Sequence, residues 1–276
     1  MDLRNILIIT KKELRDSIHN RWLLLYSISF AGLASAIGWL ALSEASTYGS
    51  AGFGRTSASL INIILLIVPL MGLTLGALSM AGERERGTLL YILSQPVNKS
   101  EIITGKYIGL SLALSGTLTL GFSISGFLIY ILGGSVQIID YLLLIGITFL
   151  LALISLSLGF FLSSLTNKTS TATGLALFTW LLLIFLTDLG LMGTSLILNL
   201  QAKEIFLITL INPLQVFKIT SILILRSNLE VLGPGGIYAI RHYGNNLFPM
   251  LLIIMTFSII FPIFIANIIE IRKEDA

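Results

Sequence analysis

Long uncharged apolar runs, separated by short charged clusters, dominate this chain. The runs at residues 22–42, 58–80, 107–132, 141–162, 172–193 and 247–269 each approach the length of about 20 apolar residues that a membrane-crossing helix needs. The fifth run contains Asp188, the one charged residue placed well inside a run. The pattern predicts an all-α, polytopic membrane protein with six transmembrane helices, folded as one membrane domain over 1–276.

Two other segments are apolar without being long enough to cross. In residues 1–21, Leu3, Ile6, Leu7, Leu14 and Ile18 recur at helical spacing, while Arg4, Asn5, Lys11, Lys12, Arg15 and Asp16 fall largely elsewhere. This predicts an N-terminal interfacial helix lying in the membrane plane; an ordinary charged tail is the alternative. The lead carries both signs of charge and the run after it is too long for an h-region, so it is not read as a secretory signal. Residues 194–246 hold short apolar pieces broken by Gln201, Lys203, Glu204 and the turn at Leu232-Gly233-Pro234-Gly235-Gly236. Asn212-Pro213 has the form of a helix start, Asn as cap and Pro in the first turn. Short extracytoplasmic re-entrant helices fit this segment; two further spans are the alternative.

Composition agrees. Of 276 residues, 55% are hydrophobic and 11% charged, with mean hydropathy +0.94; a soluble domain carries about 25% charged residues. With six spans and both termini inside, twelve of the 17 Lys and Arg fall on inner segments, and only Arg55, Lys203, Lys218, Arg226 and Arg241 outside. The positive-inside rule therefore predicts cytoplasmic termini.

The chain lacks the residues of an enzyme. Gly105-Lys106 is followed by Tyr107, so there is no P-loop to cradle ATP phosphates. His19 and His242 fall on opposite sides of the membrane, and no H-E-x-x-H occurs. With no cysteine and with scattered methionines (Met71, Met80, Met192, Met250, Met255), no metal site is expected. No catalytic residue and no bound cofactor is predicted; ATP and Mg would act through a partner. Asp188 is either a functional group at membrane depth or an acid at the outer headgroups.

The richest polar stretch is 83–106. Residues 87–93 predict a short helix with Leu89, Ile92 and Leu93 on one face, ended by Gln95-Pro96. Asn98 then caps a second helix, with Glu101 as capping-box partner. Glu83, Arg84, Glu85 and Arg86 flank this helix–break–helix, which reads as a docking surface or as a solvated loop with weak surface pairs. Gly72-x-x-x-Gly76 and Gly105-x-x-x-Gly109 permit close helix contact, within one bundle or between two.

Several of these residues resemble a known family. Lys12-Glu13-Leu14-Arg15-Asp16, with Asn20-Arg21-Trp22, resembles the start of exporter-type ABC permeases. Gly82-Glu83, Gly87-Thr88-Leu89, Pro96 and Gly105-Lys106 resemble their coupling segment. Leu162-Ser163-Ser164, Asn167-Lys168-Thr169-Ser170, Gly174-Leu175-Ala176-Leu177, Trp180, Asp188 and Ile211-Asn212-Pro213 are similar to the permeases that serve maturation of the copper enzyme nitrous-oxide reductase. The likeness covers nearly the whole chain in order.

The resemblance implies a homodimer in the cytoplasmic (plasma) membrane, with two copies of an ABC ATPase subunit beneath it. Glu83, Arg84, Glu85, Arg86, Gly87, Thr88, Leu89, Leu90 and Pro96 would couple to that ATPase. Asp188, Asn212 and Pro213 would belong to a pathway or outer gate, where an extracytoplasmic maturation protein engages. Membrane lipids are expected partners and nucleic acid is not. The alternatives are an exporter of a lipid, glycan or drug-like solute, a non-transporting scaffold, and an intramembrane enzyme.

Overall fold

The computed structural model describes residues 2–18, 21–48, 51–131, 138–185, 201–225 and 234–273. Among them all regular structure is helical: α1 (Leu3–Ile18), α2 (Arg21–Tyr48), α3 (Ala51–Glu85), α4 (Thr88–Leu93), α5 (Lys99–Ile131), α6 (Ile138–Leu165), α7 (Thr169–Phe185), α8 (Ala202–Ile211), α9 (Pro213–Ile224), α10 (Pro234–Tyr243) and α11 (Leu247–Arg272). A single 3-10 turn at Gly244–Asn246 joins the last two.

Four stretches are long and apolar enough to cross a membrane: Leu60–Glu85, Lys99–Phe127, Ile138–Leu165 and Gly235–Arg272. The pair α8–α9, bent by 110°, makes a fifth if it is one broken span. Six spans require α2 and α7, whose described apolar parts, Leu23–Ala36 and Thr169–Phe185, are shorter. Asp188 lies outside the described residues.

Helix α3 is the central pillar, and its contact with α6 is set by glycines. A Cβ on Gly76 would lie 2.5 Å from the Leu156 carbonyl oxygen and 2.8 Å from Gly159 Cα, and one on Gly72 would lie 2.7 Å from Ser155 Cβ. Without side chains at these points the two backbones touch, and Ile64, Val68 and Met71 pack with Leu151, Ile154 and Phe160. Phe30, Phe122 and Tyr141 join α2, α5 and α6 through edge-on rings, with centroids 5.1 and 5.9 Å apart. Pro69 removes one N–H from the α3 ladder. One turn away, the Trp180 indole N–H donates to the Leu66 carbonyl at 3.0 Å, pinning α7 to α3.

The second glycine pair receives α1. A Cβ on Gly105 would meet Ile9 Cβ at 2.8 Å, and one on Gly109 would meet Glu13 Cβ at 2.8 Å. The Thr10 hydroxyl donates to the Gly105 carbonyl at 3.1 Å. Both glycine pairs therefore serve contacts within the chain. This docking divides the apolar set of α1: Ile6 is buried and Leu14 half-buried against the core, while Leu3, Leu7 and Ile18 remain exposed. Gly109→Leu is expected to lift α1 from α5. Overpacking by about 1–3 kcal/mol raises the open population roughly five- to 150-fold, read as faster tryptic cleavage at Lys11 and Lys12.

Candidate coupling site at the charged end of the bundle

The last turns of α3 are held by side chains from its neighbours. Ser163 of α6 donates its hydroxyl to the Ala77 carbonyl at 2.7 Å and accepts from the N–H groups of Ala81 and Met80 at 2.8 and 3.1 Å. It thus engages both ends of one i→i−4 step of the α3 ladder, and such insertion is a known cause of bending. Lys106 of α5 donates to the buried carbonyl of Ser79, two residues further on, at 3.2 Å.

Glu83 and Arg84 follow, and neither points outward. Lys106 is 1% exposed, and its ammonium meets Glu13 and Glu83 Oε1, both at 2.9 Å. With the Ser79 carbonyl, three oxygens surround it. Lys12 reaches the same Glu83 oxygen at 3.3 Å. Burial works against the Lys12 charge, but Glu83, Glu13 and Asp16 outweigh it and hold the ammonium above its ordinary value. Glu83 Oε2 is buried with no hydrogen-bond partner among the described residues.

Arg84 turns to the opposite side. Its Nη2 lies 2.7 Å from both carboxylate oxygens of Glu270, near the end of α11. Its Nη1 donates to the Thr166 carbonyl and, at 3.4 Å, to Asn167 Oδ1. Lys273 donates to the same Asn167 oxygen at 3.2 Å, and Lys99 donates to the Lys273 carbonyl at 2.6 Å. Burial and, after it, repulsion from Arg84 hold the Lys273 ammonium below its ordinary value, against the pull of Glu270. Two consecutive residues of α3 thus fasten it to α1 and α5 on one side and to α6 and α11 on the other.

Beyond them the chain emerges. Glu85, Arg86, Gly87 and Thr88 are exposed. Glu85 accepts from the Thr169 N–H at 2.7 Å, capping the start of α7, and Arg86 donates to the Gly82 carbonyl at 2.9 Å. Gly87 adopts φ +71°, which an L side chain resists, and this releases the chain into α4. On α4, which also carries Leu90, Leu89 is buried and Tyr91 is 72% exposed. Pro96 follows, its carbonyl accepting from Asn5 Nδ2 at 3.4 Å. Glu101 does more than cap α5. It accepts from the N–H groups of Asn98 (3.2 Å) and Asp2 (2.6 Å) and from Asn5 Nδ2 (3.1 Å), so it ties the start of α1 to the start of α5. A cleft of about 810 Å³ opens between α1 and the end of α3, lined by Lys12, Asp16, Arg86 and Thr88.

Asn212 and Pro213 belong to a separate place. Asn212 caps α9, its Oδ1 accepting from the Leu214 N–H at 3.0 Å with Pro213 in the first turn. Its Nδ2 donates to the Leu183 carbonyl at 2.9 Å. Leu183 lies about 20 Å along α7 from Thr169 at the helical rise of 1.5 Å per residue. The elbow between α8 and α9 is thereby fixed to the far end of α7. Glu13, Ser163, Glu270 and Tyr91 were not among the expected site residues. Glu270 had one sequence signal, an acid set among isoleucines at the end of an apolar run.

A buried, braced strut within a bundle of long apolar helices suits a subunit built into a membrane. The family model of the ABC-2 family transporter proteins matches residues 7–241, and the chain belongs to that family. It is a membrane permease subunit of an ABC transporter, a class that implies a separate ATPase partner. Among its relatives is the probable ABC transporter permease protein NosY of Pseudomonas aeruginosa, 30% identical over 235 residues, 83% of this chain and 84% of that protein. The protein of the same name from Stutzerimonas stutzeri is 31% identical over 220 residues, 78% of this chain and 80% of that one.

Proposed function

We propose that α4 is the coupling helix of this permease. Two copies of the chain, each with six spans and cytoplasmic termini in the plasma membrane, sit on two ATPase subunits that carry ATP and Mg. Closure of the ATPase pair pushes α4, and the braced end of α3 passes the displacement to both sides of the bundle. The observation that carries this reading is the division of the charged quartet. Glu83 and Arg84 anchor inward, while Glu85, Arg86, Gly87 and Thr88 lead to a helix that presents an exposed aromatic ring. Tyrosine and arginine are enriched among interface hot spots, whose truncation costs about 2 kcal/mol or more.

Tyr91→Ala combined with Arg86→Glu is therefore expected to cut capture of the co-expressed ATPase subunit by at least about 30-fold. Thermal unfolding of the permease should be unchanged, because neither side chain belongs to its core. Capture equal to that of the parent chain would remove α4 from the interface.

The likeness to the NosY proteins supports service in the maturation of nitrous-oxide reductase, with an extracytoplasmic partner at the outer face. In that reading the α8–α9 elbow, with Asn212, Pro213 and Asp188, forms the outer gate.

A further inference from the structure

The cleft between α1 and the end of α3 changes character along its length. Leu75 and Leu78 of α3, with Leu110 of α5, line its apolar end; Glu83 follows, and Arg86 and Thr88 stand at the exposed mouth. From Leu75 to Glu83 this wall runs about 12 Å at the helical rise. The apolar stretch Leu60–Glu85 ends here, so the cleft stands where a spanning helix passes from hydrocarbon to headgroups. Its volume, about 810 Å³, suits a small molecule.

One polar group in this wall is left incomplete. Glu83 is 8% exposed. Its Oε1 meets Lys106 and Lys12, while Oε2 is closed off from water and has no hydrogen-bond partner among the described residues. Native structures rarely leave a buried acceptor in that condition, because its desolvation is uncompensated. The cations nearby are committed elsewhere. Lys106 is held by Glu13, Glu83 Oε1 and the Ser79 carbonyl, and Arg86 donates to the Gly82 carbonyl. The lining also carries one more acid than base.

We propose that this cleft binds a cationic amphiphile, with a primary ammonium at Glu83 Oε2 and hydrocarbon along Leu75, Leu78 and Leu110. The order of the wall selects the class. An N–H donor satisfies the orphan oxygen, its positive charge balances the extra acid, and a chain attached directly to it reaches the leucines. A zwitterionic phospholipid fits less well, since its phosphate, placed between chain and amine, meets Glu83 first. The inference does not use the coupling reading and stands or falls apart from it.

Dodecylamine is the probe, titrated calorimetrically into nanodiscs holding the full-length chain, with empty nanodiscs as the blank. A saturable site is expected above the blank. Dodecyltrimethylammonium has the same chain and charge but no N–H. It is expected to bind roughly 10- to 150-fold more weakly, the effect of losing a charge-assisted hydrogen bond. Butylamine keeps the head and little chain. It should lose at least about 100-fold, equivalent to burying about four methylene groups. Glu83→Gln should weaken dodecylamine by a factor like that of the trimethyl head. Matching thermal unfolding of parent and variant keeps misfolding out of that comparison, and the two headgroups on the unaltered chain test the site even where the variant is unstable. Four results would each overturn the proposal: binding no greater than to empty nanodiscs, equal binding of the two headgroups, equal binding of the two amines, or undiminished binding by a folded Glu83→Gln chain.

Discussion

Glu270→Ala is expected to be among the most damaging single substitutions in the chain. It leaves the Arg84 guanidinium in a largely enclosed site with only carbonyl and amide oxygens around it. Breaking one side of a buried pair costs about 3–5 kcal/mol, which would appear as a sharply lower unfolding temperature in detergent and poor recovery of monodisperse protein. Glu270→Gln, which keeps shape and one acceptor, should fall between. The informative variant is the double replacement Arg84→Met with Glu270→Leu. Exchanging both partners of a buried pair for apolar groups is often neutral for stability. The double variant should therefore recover its unfolding temperature. ATPase activity that responds to the permease should stay low, since the brace between α3 and α11 is gone. Recovery of both properties would mean that the pair only holds the fold.

The second large effect is expected at Gly76. A methyl group there has no yielding neighbour, because both nearest atoms, the Leu156 carbonyl oxygen and Gly159 Cα, are backbone. Helices α3 and α6 must part along their length, loosening the contact that buries Met71, Leu151 and Phe160. Gly76→Ala should cost at least the 1–3 kcal/mol typical of overpacking. Gly116→Ala is the matched control. No atom lies within 4 Å of a Cβ at Gly116, and alanine there gains roughly 0.8–1 kcal/mol of helix propensity. The unfolding temperatures of the two variants should move in opposite directions; a similar fall in both would point to a general intolerance of glycine replacement and away from the α3–α6 contact.

Local features of the site were legible in the sequence. The helix–break–helix over 83–106, the reach of Glu101 back to Asn98, and the Asn212-Pro213 helix start all depend on residues a few positions apart, where backbone geometry leaves a signature. The two glycine pairs were legible as close contacts but not as contacts with particular helices, because spacing along one helix says nothing of its neighbour. The direction of Glu83 and Arg84 was not legible. Four charges in a row suggest a wet rim, and only the positions of Lys106 and Glu270 turn the first two inward. Lys106 itself looked like another basic residue of an inner segment, yet it is buried against Glu13. The split of the α1 apolar set had the same origin: periodicity marks a face, and the glycine groove on α5 decides how much of it is used.

The distance along the chain between Arg84 and Glu270 has a consequence for biosynthesis. They are 186 positions apart. At a synthesis rate of about 5–20 residues per second, Arg84 waits roughly 10–40 s for its counter-ion. Glu13 is present long before Lys106 and waits for it for about half that time. The N-terminal side of the bundle can thus close early, while the α3 strut stays electrically incomplete until the final helix has been inserted. The Arg84 site therefore distinguishes a finished chain from a truncated one, since a fragment lacking α11 keeps an uncompensated cation at the end of α3.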